Sequence, residues 1–223
     1  GSLAVDVANG SAANDLIISG NITENTDAGS GARNLTKSGT GTLELTGTNT
    51  YSGATTVSAG TLLITGALGN TTVSVANDAV LGGSGTVGGN VSFGGNSFLQ
   101  IVNLADALTV TGTVTFGGGT LQYSASNTSD NSARFSNAAS QQYSIDTNSQ
   151  NVTLASNLTS TGGSFTKLGD GTLTLTGNNS YDGGTTLTGG TLSLGSANAI
   201  GTSGTVTFAP GQHTETITVA IAA

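Results

Sequence analysis

Thr36-Lys37-Ser38-Gly39-Thr40-Gly41-Thr42-Leu43-Glu44-Leu45-Thr46-Gly47 returns 130 residues later as Thr166-Lys167-Leu168-Gly169-Asp170-Gly171-Thr172-Leu173-Thr174-Leu175-Thr176-Gly177. The register then runs on without a gap, and Asn49, Tyr51, Gly53, Thr55, Thr56, Gly60, Thr61 and Leu62 fall on Asn179, Tyr181, Gly183, Thr185, Thr186, Gly190, Thr191 and Leu192. Seventeen of the twenty-seven positions from 36 to 62 are identical between the copies, including the single Lys and Tyr of each and the pair Asn49 and Asn179. This is an internal duplication. Within it, Leu43 and Leu45 alternate with Thr and Glu, and period two marks a strand with one buried face. Glu44 becomes Thr174 while the flanking leucines persist as Leu173 and Leu175, so the variable residue points to water.

The same short alternating runs recur along the chain, as in Thr72-Val73-Ser74-Val75 and Thr113-Val114-Thr115-Phe116, separated by Gly-Gly, Ser-Gly and Asn-Asp turn signals. Nothing resembles a helix of three turns. The composition agrees: 36 Gly, 39 Thr, 26 Ser and 20 Asn fill 121 of 223 positions, with only 7% charged residues. Such a composition also suits flexible linkers, but the 35% of apolar residues, mostly aliphatic and placed in alternation, argue for packed strands. The absence of Cys excludes disulfides and thiolate chemistry, and a single His excludes a multi-histidine metal site. Four basic residues against twelve acidic ones, a net charge of −8, leave no electrostatic footprint for nucleic acid or anionic lipid. No stretch approaches the roughly 20 apolar residues of a membrane-spanning helix, so no direct membrane insertion is expected of this segment. Residues 1–13 carry neither the basic nor the apolar block of an export signal.

Repeats built only from strand and turn point to a single all-β domain, a right-handed parallel β-helix or β-solenoid. Equivalent inward positions then stack about 4.8 Å apart along the axis, which favours aliphatic ladders and disfavours like charges. At roughly 20 residues per coil the chain makes roughly ten coils, a rod on the order of 50 Å long.

The duplicated motif, Lys37-Ser38-Gly39-Thr40-Gly41-Thr42-Leu43 followed by Gly47-Thr48-Asn49-Thr50-Tyr51-Ser52-Gly53-Ala54-Thr55-Thr56 and Gly60-Thr61-Leu62, resembles the autotransporter-associated β-strand repeat, also called the passenger-associated transport repeat. The second copy is closer still, since Gly184 keeps a glycine of the family pattern that Ala54 replaces. The resemblance implies a β-helical stem from a secreted bacterial surface protein and carries over no catalytic residue. It marks Lys37, Gly39, Gly41, Leu43, Leu45, Asn49, Tyr51 and Gly53, with Lys167, Gly169, Gly171, Leu173, Leu175, Asn179, Tyr181 and Gly183, as structural repeat positions.

Other features read as structure before chemistry. His213 stands near Glu215, but residues two apart on a strand share a face without forming a triad. Lys37 and Lys167 precede a glycine turn, where a lysine caps carbonyls or lays its stem over the sheet. Gly169-Asp170-Gly171 has the flavour of a calcium-binding roll, yet the sister of Asp170 is Thr40 and no tandem Asp follows, so no metal or cofactor is expected. Residues 123–142 are the least repetitive; Ala133 to Gln142 suits a short helix or lid, with Arg134 and Phe135 as candidate interaction residues. Residues 24–34 form a second candidate excursion. The alternating run Glu215 to Ile221, with Ile217, Val219 and Ile221, is a candidate donated strand for homo-assembly through open solenoid ends. Rows such as Thr109/Thr111/Thr113/Thr115 and Thr172/Thr174/Thr176 raise a lesser alternative, an ice- or carbohydrate-binding face. The expected function is a non-enzymatic extracellular stem or adhesin shaft, with a self-assembling fibre subunit as the alternative and a host or cell-surface ligand as a further partner.

Overall fold

A computed structural model describes residues 1–24, 31–100, 108–125, 127–203, 206–208 and 216–219. Thr42–Leu45 sets the pattern: both leucines are fully buried while Thr42 and Glu44 stay half-buried, the alternation that a pleated strand imposes. Strands of this kind stack coil upon coil, and every pairing between strands is parallel among the described residues. The fold is the all-β parallel solenoid expected from the repeat. The longest sheet stacks ten strands, in line with roughly ten coils.

Three faces enclose the core. The first carries a six-stranded sheet of Ser2–Asp6, Asn34–Ser38, Thr55–Val57, Val73–Val75, Val91–Gly94 and Val114–Gly117. The second carries the ten-stranded sheet of Leu16–Ile18, Thr42–Leu45, Thr61–Ile64, Val80–Gly83, Phe98–Gln100, Thr120–Gln122, Gln142–Asp146, Ser164–Leu168, Thr185–Leu187 and Val206–Phe208. The third carries two four-stranded sheets in succession, first Thr48–Asn49, Ala67–Leu68, Thr86–Val87 and Thr109–Val110, then Val152–Leu154, Thr172–Leu175, Thr191–Leu194 and Thr216–Val219.

This order contains a rotation. The first strand of the first repeat, Asn34–Ser38, lies on the first face, but its counterpart Ser164–Leu168 lies on the second, in the same sheet as Thr42–Leu45. The second half of the rod is therefore turned by one face relative to the first. In consequence Lys167 does not stand above Lys37. It stands in the column Leu43, Leu62, Leu81, Leu99, Leu121, Ile145, Lys167, Leu187.

At the junction the first face continues through residues 135–137, where Phe135 bridges Val114 and the Ser136 amide donates to the Val114 carbonyl at 2.8 Å. The third face is spanned by side chains: Asp130 and Ser132 accept the amides of Ala155 and Ser156 at 2.9 and 3.0 Å, and the Arg134 guanidinium donates to the Thr111 carbonyl.

The core is largely aliphatic, with a run of aromatic rings around and beyond the junction. Phe93, Phe116, Phe135, Tyr143, Phe165 and Tyr181 form a chain of ring contacts with centroids 4.8–6.4 Å apart, all of them buried. Outward columns are rich in hydroxyls. Thr36, Thr56, Ser74, Ser92 and Thr115 run up the first face, and Ser144, Thr166, Thr186 and Thr207 run up the second. Coil corners are tied by side-chain carbonyls: Asn21, Asn34, Asn90, Asn151 and Asn157 accept amides of the following coil at 2.8–3.0 Å. Gly39 and Gly169, with φ of 73° and 68°, turn the corner in the left-handed region, where a Cβ would also meet Asp6 and Asp146 of the coil below.

Three expectations are corrected. Residues 133–142 form no helix or lid; the only helical element there is a 3-10 turn at Ser132–Arg134. Thr109 and Thr115 do not share a row, because Gly112 lies between the strands Thr109–Val110 and Val114–Gly117 on two different faces. The run expected to be donated to another molecule supplies Thr216–Val219, which pairs in parallel with Thr191–Leu194 of its own chain.

Candidate functional site

The signature residues of each repeat converge on the interior. Lys37 is fully buried, and its ammonium donates to the carbonyls of Ser38, Gly39 and Ala59 at 3.0, 2.8 and 3.0 Å. Lys167 repeats the cradle with Leu168, Gly169 and Gly189 at 3.0, 2.6 and 2.9 Å and adds the Thr147 hydroxyl at 2.9 Å. Of the two roles open to these lysines, carbonyl capping is the one adopted. Two of the oxygens come from the lysine's own glycine turn and one from the next coil, so the side chain fastens a corner and a coil interface together. Burial pushes the Lys37 ammonium down from the usual lysine range, and the carboxylates of Asp6 and Asp15 oppose that shift.

Asn49 and Asn179 make the same kind of fastening on the far side of the coil. Asn49 accepts the Ile22 amide of the coil below at 2.9 Å and donates to the Ala67 carbonyl of the coil above at 3.1 Å. Asn179 accepts the Leu158 amide at 2.9 Å and donates to the Ala199 carbonyl at 2.6 Å. Tyr51 and Tyr181 point inward, and their hydroxyls meet Thr55 and Thr185 at 2.6 Å in both copies. These asparagines and tyrosines, marked as structural repeat positions, are at most 3% exposed, because each finds hydrogen-bond partners inside. The signal was present in the sequence: a polar residue retained when its neighbours drift is one whose bonds are all internal.

The leucines Leu43, Leu45, Leu173 and Leu175 are fully buried. Gly41 and Gly171 press on the backbone of the coil below, as Gly53 and Gly183 do on Arg33 and Gly163. Of the candidate interaction residues, Arg134 is exposed at the surface but tied to Thr111. Phe135 is a correction: it is 5% exposed and packs edge-on against Phe116 at 4.8 Å, so its ring cannot be offered to a partner. Ile217 and Val219 pair with Leu192 and Leu194. Ile221, His213 and Glu215 lie outside the described residues, as do 25–30 of the second candidate excursion.

The carboxylates are spent on corners. Asp15 is held below the usual carboxylate range by the amides of Thr42 and Gly10, and Glu24 by those of Ser52 and Arg33. Asp170 is exposed, and among the described residues no three His, Asp or Glu side chains converge as metal ligands would.

No curated protein and no solved structure matches the chain. The two regions that the Lys, Asn and Tyr fastenings define, residues 35–64 and 165–194, each match the family model described as the passenger-associated-transport-repeat.

Proposed function

We propose that this chain is a rigid, non-enzymatic stem of a secreted or surface-exposed bacterial protein. The observation that carries the reading is the complete burial of Lys37 and Lys167, whose ammonium groups bind the carbonyls of their own glycine turn and one of the next coil. Residues retained between the copies serve the stacking of coils and leave no reactive group at the surface. The match to a passenger-associated repeat supports the extracellular setting. A stem separates other domains and needs no ligand of its own. Screening the whole chain against glycans and extracellular host proteins therefore should yield no saturable binding. Saturable binding to one ligand, lost on a single surface substitution, would replace the stem with an adhesive module.

A further inference from the structure

The rotation between the two halves leaves a thin junction. Among the described residues only the ten-stranded sheet crosses it as a strand pairing, and there Thr120–Gln122 meets Gln142–Asp146 through two residue pairs, Leu121 with Ile145 and Gln122 with Asp146. The next interface in the same sheet, Gln142–Asp146 on Ser164–Leu168, has five pairs, while Val80–Gly83 on Phe98–Gln100 also has two, so what sets the junction apart is that the sheets of the other two faces stop there. On the first face continuity is a single bridge at Phe135, and on the third it is the side chains of Asp130, Ser132 and Arg134. A buried polar atom without a hydrogen-bond partner lies below this level, the Ser97 hydroxyl beside Gly119. The halves are otherwise joined by the packing of Phe116 against Phe135 and Tyr143 and by a few hydrogen bonds, from the Phe116 amide to Gln141, from Gln122 to Asp146 and from Asn148 to the Tyr123 carbonyl.

In a solenoid each coil touches only its neighbours, so stability is a sum of coil terms and interface terms, and a weak interface divides the rod into cooperative units. We propose that this junction is a built-in joint: the coils before it and the coils after it are two cooperative units, and the rod parts there before either unit unravels. The inference rests on the coil interfaces and is independent of what the stem carries.

The buried lysines provide the test, since trypsin can cut after Lys37 or Lys167 only when that lysine's own coil opens. Whole chain equilibrated in graded urea is given a short trypsin pulse, and the fragments are identified by mass spectrometry. Leu43→Val and Leu173→Val trim equivalent buried leucines, one in each half, mildly enough to leave the chain folded. The expected result is that Leu43→Val lowers the urea midpoint for cleavage after Lys37 and leaves that after Lys167 in place, while Leu173→Val does the reverse. Either variant moving both midpoints together would overturn the joint and make the rod one cooperative unit.

Discussion

The two repeats are the same coil set in different surroundings. In the first, the coil below supplies a carboxylate, Glu24, and the repeat offers the amide and hydroxyl of Ser52 at 2.7 and 2.8 Å. In the second the polarity is reversed: the repeat carries the carboxylate, Asp182, and the coil below offers the Gly162 amide. The exchange of Ser52 for Asp182 is thus half of a paired change whose other half lies 20 residues away in the second copy. The lysines differ likewise. Lys37 has the distant charges of Asp6 and Asp15 to offset its desolvation, whereas Lys167 gains a direct fourth acceptor in Thr147. Tyr51 takes no part in the aromatic chain that Tyr181 closes against Phe165 at 5.9 Å. The motif fixes its own fastenings, and the neighbouring coils decide how much each one contributes.

That comparison can be broken most forcefully at Phe116, which touches Phe93, Phe135 and Tyr143. Phe116→Ala is expected to cost about 3–5 kcal/mol, because an aromatic side chain leaves a cavity where the sheets of two faces stop. Urea denaturation followed by far-ultraviolet circular dichroism reads this directly, and a loss under about 1 kcal/mol would mean that the aromatic chain is not what joins the halves.

Next in size are the cradles. Lys167→Met keeps the stem but strands buried carbonyls, at about 3 kcal/mol, and Lys37→Met is expected to cost less because it has one acceptor fewer. Equal losses from the two variants would show that the surroundings do not matter. Smaller again is Tyr181→Phe, which leaves the Thr185 hydroxyl short of its close partner and should cost about 1–2 kcal/mol in thermal or urea unfolding. Glu44→Thr, which copies the second repeat into the first, is expected to stay within about 0.5 kcal/mol, since the side chain is outward and bonds only Asn14 and Thr65.

The halves should also respond to opposite ends of the pH scale. Tyr123, Tyr143 and Tyr181, at the junction and in the second half, are each pushed up to about 12 chiefly by burial, against an ordinary value of 10.0. The unfolded chain loses those protons first, so their contribution is intact below pH 10.0 and disappears as pH rises towards about 12. Asp15 and Glu24, in the first half, are held low by backbone amides, so what they contribute is present above the ordinary carboxylate values of 3.8 and 4.5 and is lost on further acidification. Amide exchange across both ranges should show the first half loosening in acid and, in alkali, a larger loosening of the second half than of the first, where burial raises Tyr51. The reverse order would contradict the assignment.

Much of this was legible in the sequence. Alternation around Leu43 and Leu173 announced strands, and the 130-residue offset announced a stacking unit. The rotation was not legible, because it accumulates from coil lengths that nothing local marks. Successive partners on the first face lie 20, 18, 18 and 23 residues apart, from Leu35 to Thr55, Val73, Val91 and Val114. A repeat offset measures the chain and says nothing of azimuth. Phe135 misled for a related reason: it follows a polar, irregular stretch that looks like a surface loop, yet that stretch carries it to the foot of the next column. The inward turn of Asn49 and Tyr51 depended on acceptors from other coils, which only the stacking supplies.

The turn of one face also bears on how such rods lie side by side. A solenoid whose equivalent strands stayed in line would present one unbroken stripe of hydroxyls from end to end, a natural zipper for a parallel neighbour. Here the stripe that begins at Thr36 stops at Thr115, and the stripe through Thr166 and Thr207 resumes around the corner. Two rods laid together can match along half their length at most. The phase slip in the middle limits side-by-side register without a single added charge.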